Sequence, residues 1–111
     1  KFEIKNVRRL KLETSRKQSL PLALNDVLLC NRHPAATSRY QLSICSLDKT
    51  NELQSEKQLS SGLWVSTAAG STAAISSYGF EKSDMNSPNI HVVVREPYTP
   101  RNESLNLQKF N

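Results

Sequence analysis

The sequence predicts a mainly β chain with one short helix, in a single domain of 111 residues. Three observations predict this fold class. Apolar and polar residues alternate over 40–47, with Tyr40, Leu42 and Ile44 on one face, which is typical of a half-buried strand. The β-branched run IHVVV at 90–94 is the strongest strand signal. Small residues with alanines at 72–78 favour two turns of helix.

The first third of the chain predicts two strands and two connections. Residues 7–14 alternate with period two, so we expect a half-buried strand with Leu10 and Leu12 inward. Residues 15–19 are polar and turn-like. An apolar run follows at 22–30, and the proline-containing stretch 31–38 reads as a loop.

The rest of the chain has fewer strong signals. Residues 48–58 are polar without convincing periodicity, so no element is predicted there. A short strand is expected at 63–65 and a loop at 81–89. Prolines end the strand at 90–94, and the last eleven residues are polar and expected to be loosely held.

The net charge of +5 is concentrated at the start of the chain. The first 17 residues carry seven basic and two acidic side chains, whereas the other 94 residues carry eight of each. The seven basic residues are Lys1, Lys5, Arg8, Arg9, Lys11, Arg16 and Lys17. Such a cluster is either a solvated strand face or a surface for phosphates, and a small basic domain that binds nucleic acid is the alternative function. Aromatic residues, the usual stacking platform for single strands, make up only 6% of the chain.

Other reactive residue types give weak signals. Cys30 and Cys45 have no CxxC spacing and lie in apolar runs, so we expect buried free thiols in a reducing, cytoplasmic compartment. His33 and His91 lack metal-ligand spacing, and no metal site is predicted. The sequence pattern supports no arrangement of serine or cysteine with histidine. No apolar run is long enough to cross a membrane.

Two stretches are candidates for a binding site. Asn25 and Asp26 interrupt the apolar run 22–30, as a strand end that points to water or as a polar pair presented to a ligand. STAAGSTAA at 66–74 directly follows the apolar residues 63–65. Its small residues either pack closely against a sheet or leave space and free main-chain N–H groups for a ligand. Neither a Walker sequence nor GxGxxG is present, which excludes the usual phosphate cradles.

The combination of motifs resembles the carboxy-terminal domain of the NAD kinase family. ALNDVL at 23–28 is similar to the family's ALN(E/D) strand, and SGL at 61–63 with STAAGSTAA is similar to its small-residue loop. VREP at 94–97 also looks like a family segment. The alanines of the loop are most similar to those of plant-type NADH kinases. The resemblance covers about residues 7 to 98.

The resemblance implies a fold and a reaction. It implies an incomplete β-sandwich domain over 1–111 that binds a dinucleotide. The family transfers the γ-phosphoryl group of ATP to the 2′-hydroxyl of the adenosine ribose of NAD or NADH, which gives NADP or NADPH. Mg2+ or another divalent cation assists the transfer. The full enzymes form homo-oligomers, and neither a membrane nor a nucleic acid is an expected partner.

The resemblance also implies roles for particular residues. Asn25 and Asp26 would bind the base and the ribose hydroxyls of the dinucleotide. Thr72 and Ala73 would contact adenine, and Ser77 would reach the distal half. The loop wall would be formed by Ala69, Gly70 and Ser71.

One departure from the family limits what this chain can do. The Gly-Gly-Asp-Gly motif with the catalytic aspartate does not occur in the sequence. It belongs to an amino-terminal α/β domain that these residues do not include. We therefore expect no catalytic residue in the chain, no kinase activity from the chain alone, and marginal stability because sheet edges remain open.

Overall fold

The fold contains two antiparallel sheets, as seen in a computed structural model that describes residues 2–46, 50–101 and 104–111. The strands are β1 (Asp26–Leu29), β2 (Ser38–Cys45), β3 (Glu52–Ser60), β4 (Gly62–Thr67), β5 (Ile90–Arg95) and β6 (Lys109–Phe110). One sheet has the order β1-β4-β5-β6, and the other is the β2-β3 hairpin. Two 3₁₀ helices, Ala69–Thr72 and Ala74–Tyr78, connect β4 to the loop before β5. The prediction of a mainly β chain is confirmed.

The core lies where the hairpin packs on the larger sheet. Leu63 of β4 and Val92 and Val94 of β5 are buried, and Leu63 is the register partner of Val94. Tyr40 and Leu42 pack against this cluster from β2. Burial of these apolar side chains is the main force that joins the sheets in a sandwich-like arrangement.

The alternating strand at 40–47 is confirmed within the described residues. β2 alternates between half-buried and exposed positions along its whole length, as a strand with one face on a core does. Its expected last residue, Leu47, lies outside the described residues. The strand predicted at 90–94 is also confirmed and extends to Arg95.

The strand predicted at 7–14 is wrong. This segment makes one isolated bridge, in which the N–H of Leu10 donates to the carbonyl of Ala23 at 2.9 Å and the reverse bond is 3.0 Å. Leu10 and Leu12 are still half-buried while their neighbours are exposed. The alternating pattern therefore predicted the burial of Leu10 and Leu12 correctly, but one isolated bridge does not make the segment a β-strand.

The polar stretch at 48–58 contains a strand that periodicity of apolar residues could not reveal. β3 begins at Glu52, and its inward positions near the end are Gln58 and Ser60, which are 3% and 2% exposed. Ser60 Oγ is 2.9 Å from the hydroxyl of Tyr40 and accepts the N–H of Gly62 at 3.0 Å. Gln58 Nε2 donates to the Glu56 carboxylate at 2.6 Å, while Gln58 Oε1 is buried without a partner among the described residues.

The helix expected at 72–78 is two short 3₁₀ helices rather than two α-helical turns. Ala73 separates them with φ −89° and ψ −143°, outside the helical region. The second helix places Ile75 in the interior with no exposed surface. This anchor holds the segment on the sheet.

The expectation of a loosely held carboxy-terminal segment is wrong for residues 104–111. The carboxylate of Glu56 accepts the N–H groups of Asn106 at 2.7 Å and Leu107 at 2.9 Å. Leu107 is 2% exposed, and β6 pairs with β5. The polar composition of this segment did not indicate these contacts, because its main-chain N–H groups make the bonds to Glu56.

Two smaller features complete the description. Cys30 and Cys45 are free but exposed, which contradicts the expected burial. Cys30 follows the end of β1, and Cys45 takes an outward position at the end of β2. No helix within the described ranges has the length and apolar character to cross a membrane.

Candidate functional site

The two motifs singled out from the sequence meet at one end of the larger sheet. The carbonyl of Asn25 accepts the N–H of Thr67 at 2.8 Å, and the hydroxyls of Thr67 and Ser66 each donate to it at 3.2 Å. Asp26 is the register partner of Ser66 in the β1–β4 ladder. The small-residue loop therefore starts directly beside the Asn25-Asp26 pair.

The loop passes so close to this strand that a side chain would not fit at Gly70. A Cβ atom there would lie 2.6 Å from the carbonyl carbon of Asn25 and 2.5 Å from Ser66 Oγ, well inside contact distance. The hydroxyl of Thr67 accepts the Gly70 N–H at 3.1 Å and fixes the approach. The small residues therefore do pack closely against the sheet, which is one of the two readings left open by the sequence.

The side chains of Asn25 and Asp26 remain available for a ligand. β1 begins at Asp26, so the pair stands at a strand end rather than within a strand. Asn25 is exposed and Asp26 is half-buried, and neither side chain makes a hydrogen bond or ion pair with the described part of the chain. A carboxylate accepts hydrogen bonds and a carboxamide both donates and accepts, which suits sugar hydroxyls and a base edge.

The residues of the first 3₁₀ helix, and Ala73 directly after it, differ in how far they are buried. Gly70 and Ser71 are buried, Ala69 and Ala73 are half-buried, and Thr72 is exposed. Ser71 Oγ accepts the N–H of Ser83 at 3.1 Å, so this hydroxyl holds the following loop. Thr72 is the hydroxyl of this helix that faces solvent.

Three main-chain N–H groups of this loop are engaged within the fold. Ser71 donates to the carbonyl of Ala68 at 3.1 Å, and Ala73 donates to that of Gly70 at 2.9 Å. The N–H of Gly70 is engaged by Thr67 as described above. An anion would find these three amides occupied, whereas the side chains of Asn25 and Asp26 suit neutral groups such as a sugar or a base.

Ser77 is less closely connected to the pair than the other candidates. It is exposed on the second 3₁₀ helix, where its hydroxyl donates to the carbonyl of Ala74 at 3.1 Å. Among the described residues, Thr67 links the carbonyl of Asn25 to the N–H of Gly70 in the first helix, and no such link reaches Ser77. The described residues also include no group of three metal-ligating side chains, so we assign no cation to them.

The amino-terminal basic cluster lies in a largely exposed segment. Lys1 is outside the described residues, and Lys11 Nζ lies 3.0 Å from the Glu13 carboxylate on the surface. A surface pair of this kind contributes little to stability.

Comparison with known proteins adds one finding. No protein-family model matches the sequence. One curated protein from Oryza sativa subsp. japonica is 38% identical over 82 residues, which are 71% of this chain. That protein is a probable NADH kinase. The chain spans about a quarter of the length of this NADH kinase, 24% of it. The similarity supports a relationship to the NAD kinase family.

Sequence reasoning missed the residues that hold the site together. Ser66 and Thr67 are buried, and the single hydroxyl proton of Thr67 is shared between the carbonyls of Leu24 at 2.6 Å and Asn25 at 3.2 Å. Their position at the end of β4 was the available signal. A strand that ends in hydroxyl-bearing residues can bond the neighbouring strand where the ladder stops.

Proposed function

We propose that this chain is the dinucleotide-binding part of an NAD(H) kinase. In the proposed reaction the γ-phosphoryl group of ATP moves to the 2′-hydroxyl of the adenosine ribose of NAD or NADH, which gives NADP or NADPH. The name of the rice relative supports the choice of reaction. The junction between Asn25-Asp26 and the small-residue loop supports the choice of role.

The observation that carries the proposal is an unpaired polar pair on a rigid support. The carbonyl of Asn25 is fixed by three hydrogen bonds from the end of β4, while the side chains of Asn25 and Asp26 have no described partner. In the proposal Asp26 accepts hydrogen bonds from the ribose hydroxyls, and Asn25 bonds the base. A preorganised site of this kind loses little conformational entropy on binding.

The loop provides the second surface of the proposed site. Thr72 and Ala73 contact adenine, and Ser77 reaches the distal half of the dinucleotide. Ala69, Gly70 and Ser71 form a wall without bulky side chains, and a flat base would approach it at Ala69, the half-buried member of the three.

The proposed role is binding and orientation rather than chemistry. Phosphoryl transfer needs a positioned nucleophile, a base and charge neutralisation by a metal. The Gly-Gly-Asp-Gly sequence that supplies the aspartate in the family is not among these residues. Mg2+ or another divalent cation and ATP would be held elsewhere in the full enzyme. That enzyme would be a cytoplasmic homo-oligomer without membrane or nucleic-acid partners.

Titration calorimetry with NADH, NAD and ATP as separate probes tests the proposal. We expect the chain to bind a dinucleotide, and Asp26→Asn to weaken that binding by about tenfold because a charged hydrogen bond becomes a neutral one. Asp84→Asn is the matched control, since Asp84 is exposed and caps a turn through the N–H of Asn86 at 3.0 Å. It should bind like the unchanged chain.

Two further results bear on the proposal. The chain incubated with ATP and NADH should form no NADPH. In a full-length kinase that contains this segment, Asp26→Asn should cripple NADPH formation. Absence of dinucleotide binding, or equal effects of Asp26→Asn and Asp84→Asn, would contradict the assigned role.

A further inference from the structure

A serine, a histidine and an asparagine form a continuous series of hydrogen bonds from the loop after the second 3₁₀ helix, through β5, to the residue that follows β6. Ser83 Oγ lies 2.8 Å from His91 Nε2, and His91 Nδ1 lies 2.7 Å from Asn111 Oδ1. These residues are 8 and 20 positions apart, so no sequence motif marks them. The fold brings them together because His91 is on β5 and the end of the chain returns beside it as β6.

The partner atoms determine which group donates and which accepts in each of these hydrogen bonds. The Oδ1 atom of Asn111 can only accept, so His91 Nδ1 must carry the proton of this bond. In the neutral imidazole Nε2 is then an acceptor, and the hydroxyl of Ser83 donates to it. A serine that donates to a histidine, itself oriented by a third group, is the arrangement that activates a hydroxyl nucleophile.

The same three residues line one cavity with a volume of about 450 Å³. His91 is 3% exposed and its ring packs against Phe80 at a centroid distance of 4.9 Å. Ser83 is half-buried and Asn111 is exposed. A small molecule in the cavity would therefore lie beside Ser83, while the imidazole behind it is shielded from water.

Among the side chains that line the cavity, two are basic and one is acidic. Lys82 and Lys109 line it, against one carboxylate, that of Glu81. Lys109 Nζ donates to the carbonyl of Gly79 at 3.2 Å and lies 4.7 Å from the centre of the Phe80 ring. Ammonium groups beside a nucleophile favour substrates that carry or develop negative charge.

We propose that Ser83 is a nucleophile with His91 as its general base and Asn111 as the orienting residue, in a site for small anionic esters. This activity is separate from dinucleotide binding and does not rest on it. The cavity adjoins the proposed dinucleotide site through one bond, from the N–H of Ser83 to Ser71 Oγ.

The proposed reaction is ester hydrolysis in two balanced steps. Ser83 Oγ attacks the carbonyl carbon while His91 Nε2 takes the hydroxyl proton. The bond to the alcohol breaks, and the imidazolium returns the proton to the departing oxygen. Water then attacks the acyl group on Ser83, His91 takes its proton, and the acid leaves as the proton returns to Ser83 Oγ.

A fluorophosphonate is the probe for the first step, because it reacts with activated serines. Its P–F bond breaks, a bond from Ser83 Oγ to phosphorus forms, and the serine proton passes through His91 to water as fluoride leaves. Intact mass should show one phosphonyl group per chain, and peptide mapping should place it on Ser83. Hydrolysis of an anionic aryl ester checks the complete cycle.

Four variants test the roles. Ser83→Ala should abolish labelling, whereas Ser87→Ala in the same loop should leave it unchanged. His91→Gln should slow labelling by about 100-fold, the range expected for loss of a general base. Asn111→Asp keeps the acceptor and adds a negative charge near the imidazolium that forms, so labelling should become about tenfold faster.

The variants also separate catalysis from a purely structural network. A structural role would make Asn111→Asp neutral or harmful for the labelling rate, while a catalytic role makes it favourable. Labelling of the unchanged chain at another residue, or no labelling at all, would overturn the proposal even if Ser83→Ala did not fold.

Discussion

Gly70→Ala tests the close approach between the small-residue loop and β1. The added Cβ atom would meet the main chain of Asn25 and the hydroxyl of Ser66 at 2.5 to 2.6 Å, where no real Cβ is found. The nearest atoms are mostly main chain, so the loop or the strand end must move. The φ of Gly70 is not positive, so this cost comes from contact rather than from backbone conformation.

The loss of stability in Gly70→Ala can be estimated from the contacts that the new Cβ atom displaces. Overpacking by the new Cβ atom, together with weaker hydrogen bonds to the carbonyl of Asn25, costs about 3 kcal/mol. Lower entropy of the unfolded chain returns up to about 1 kcal/mol for a change from glycine to alanine. We expect a net loss of about 2 kcal/mol in the free energy of unfolding.

Urea unfolding followed by the fluorescence of the single tryptophan measures this loss. Trp64 lies on β4 between Leu28 and Val93, so its emission reports on the strands next to the loop. Gly79→Ala is the comparison, because Gly79 has φ +72° but its new Cβ would approach no atom closer than 3.7 Å. Its cost should be about 1 kcal/mol, from backbone conformation alone.

Binding distinguishes the two glycines further. Gly70→Ala displaces the Asn25-Asp26 strand end and should weaken dinucleotide binding at least about tenfold, an affinity loss of at least about 1.4 kcal/mol. Gly79→Ala should leave the affinity unchanged. The reasoning is refuted if Gly70→Ala is as stable as the unchanged chain, or if the two variants lose equal stability and affinity.

Three other predictions concern stability. Glu56→Gln should release the carboxy-terminal segment and cost about 1.5 kcal/mol or more, since a charged acceptor of two main-chain amides is lost; faster hydrogen exchange at those amides measures it, with Glu52→Gln as a neutral control. Ile75→Ala should cost about 2–5 kcal/mol in thermal unfolding because the side chain is wholly buried, and Ile90→Ala, 44% exposed, should cost much less. Burial raises the pKa of Tyr40 above its ordinary 10.0, so the contribution of this tyrosine to the free energy of unfolding should be constant below pH 10 and fall above it. Tyr40→Phe should remove this fall, and the same alkaline loss of stability in Tyr40→Phe as in the unchanged chain would contradict the prediction.

Much of the fold could be predicted from the sequence where burial follows apolar patterning. The alternation in β2 and the β-branched run of β5 identified both strands because each has an apolar face on the core. β3 could not be found this way, since the polar residues Gln58 and Ser60 take inward positions near its end. Tertiary contacts of polar groups leave no periodic apolar signal.

The candidate site was predictable as two stretches but not as one surface. Asn25-Asp26 and the loop stood out by residue type, and the structure joins them through hydroxyls of β4. The Ser83-His91-Asn111 chain was invisible, because it depends on the return of β6 to the side of β5. The prediction of a strand at 7–14 was wrong although the pattern of burial was correct, because the segment pairs with the rest of the fold at one bridge, between Leu10 and Ala23.

The bonds to the carbonyl of Asn25 also set the order in which the molecule can fold. They span 41 and 42 residues of chain, whereas the β2–β3 hairpin closes a far shorter loop. Closing a longer loop costs more entropy, so the hairpin can form early while the surface at Asn25 must wait for β1 to find β4. In refolding experiments ligand-binding competence should therefore appear in the final kinetic phase, after most hairpin amides are already protected from exchange.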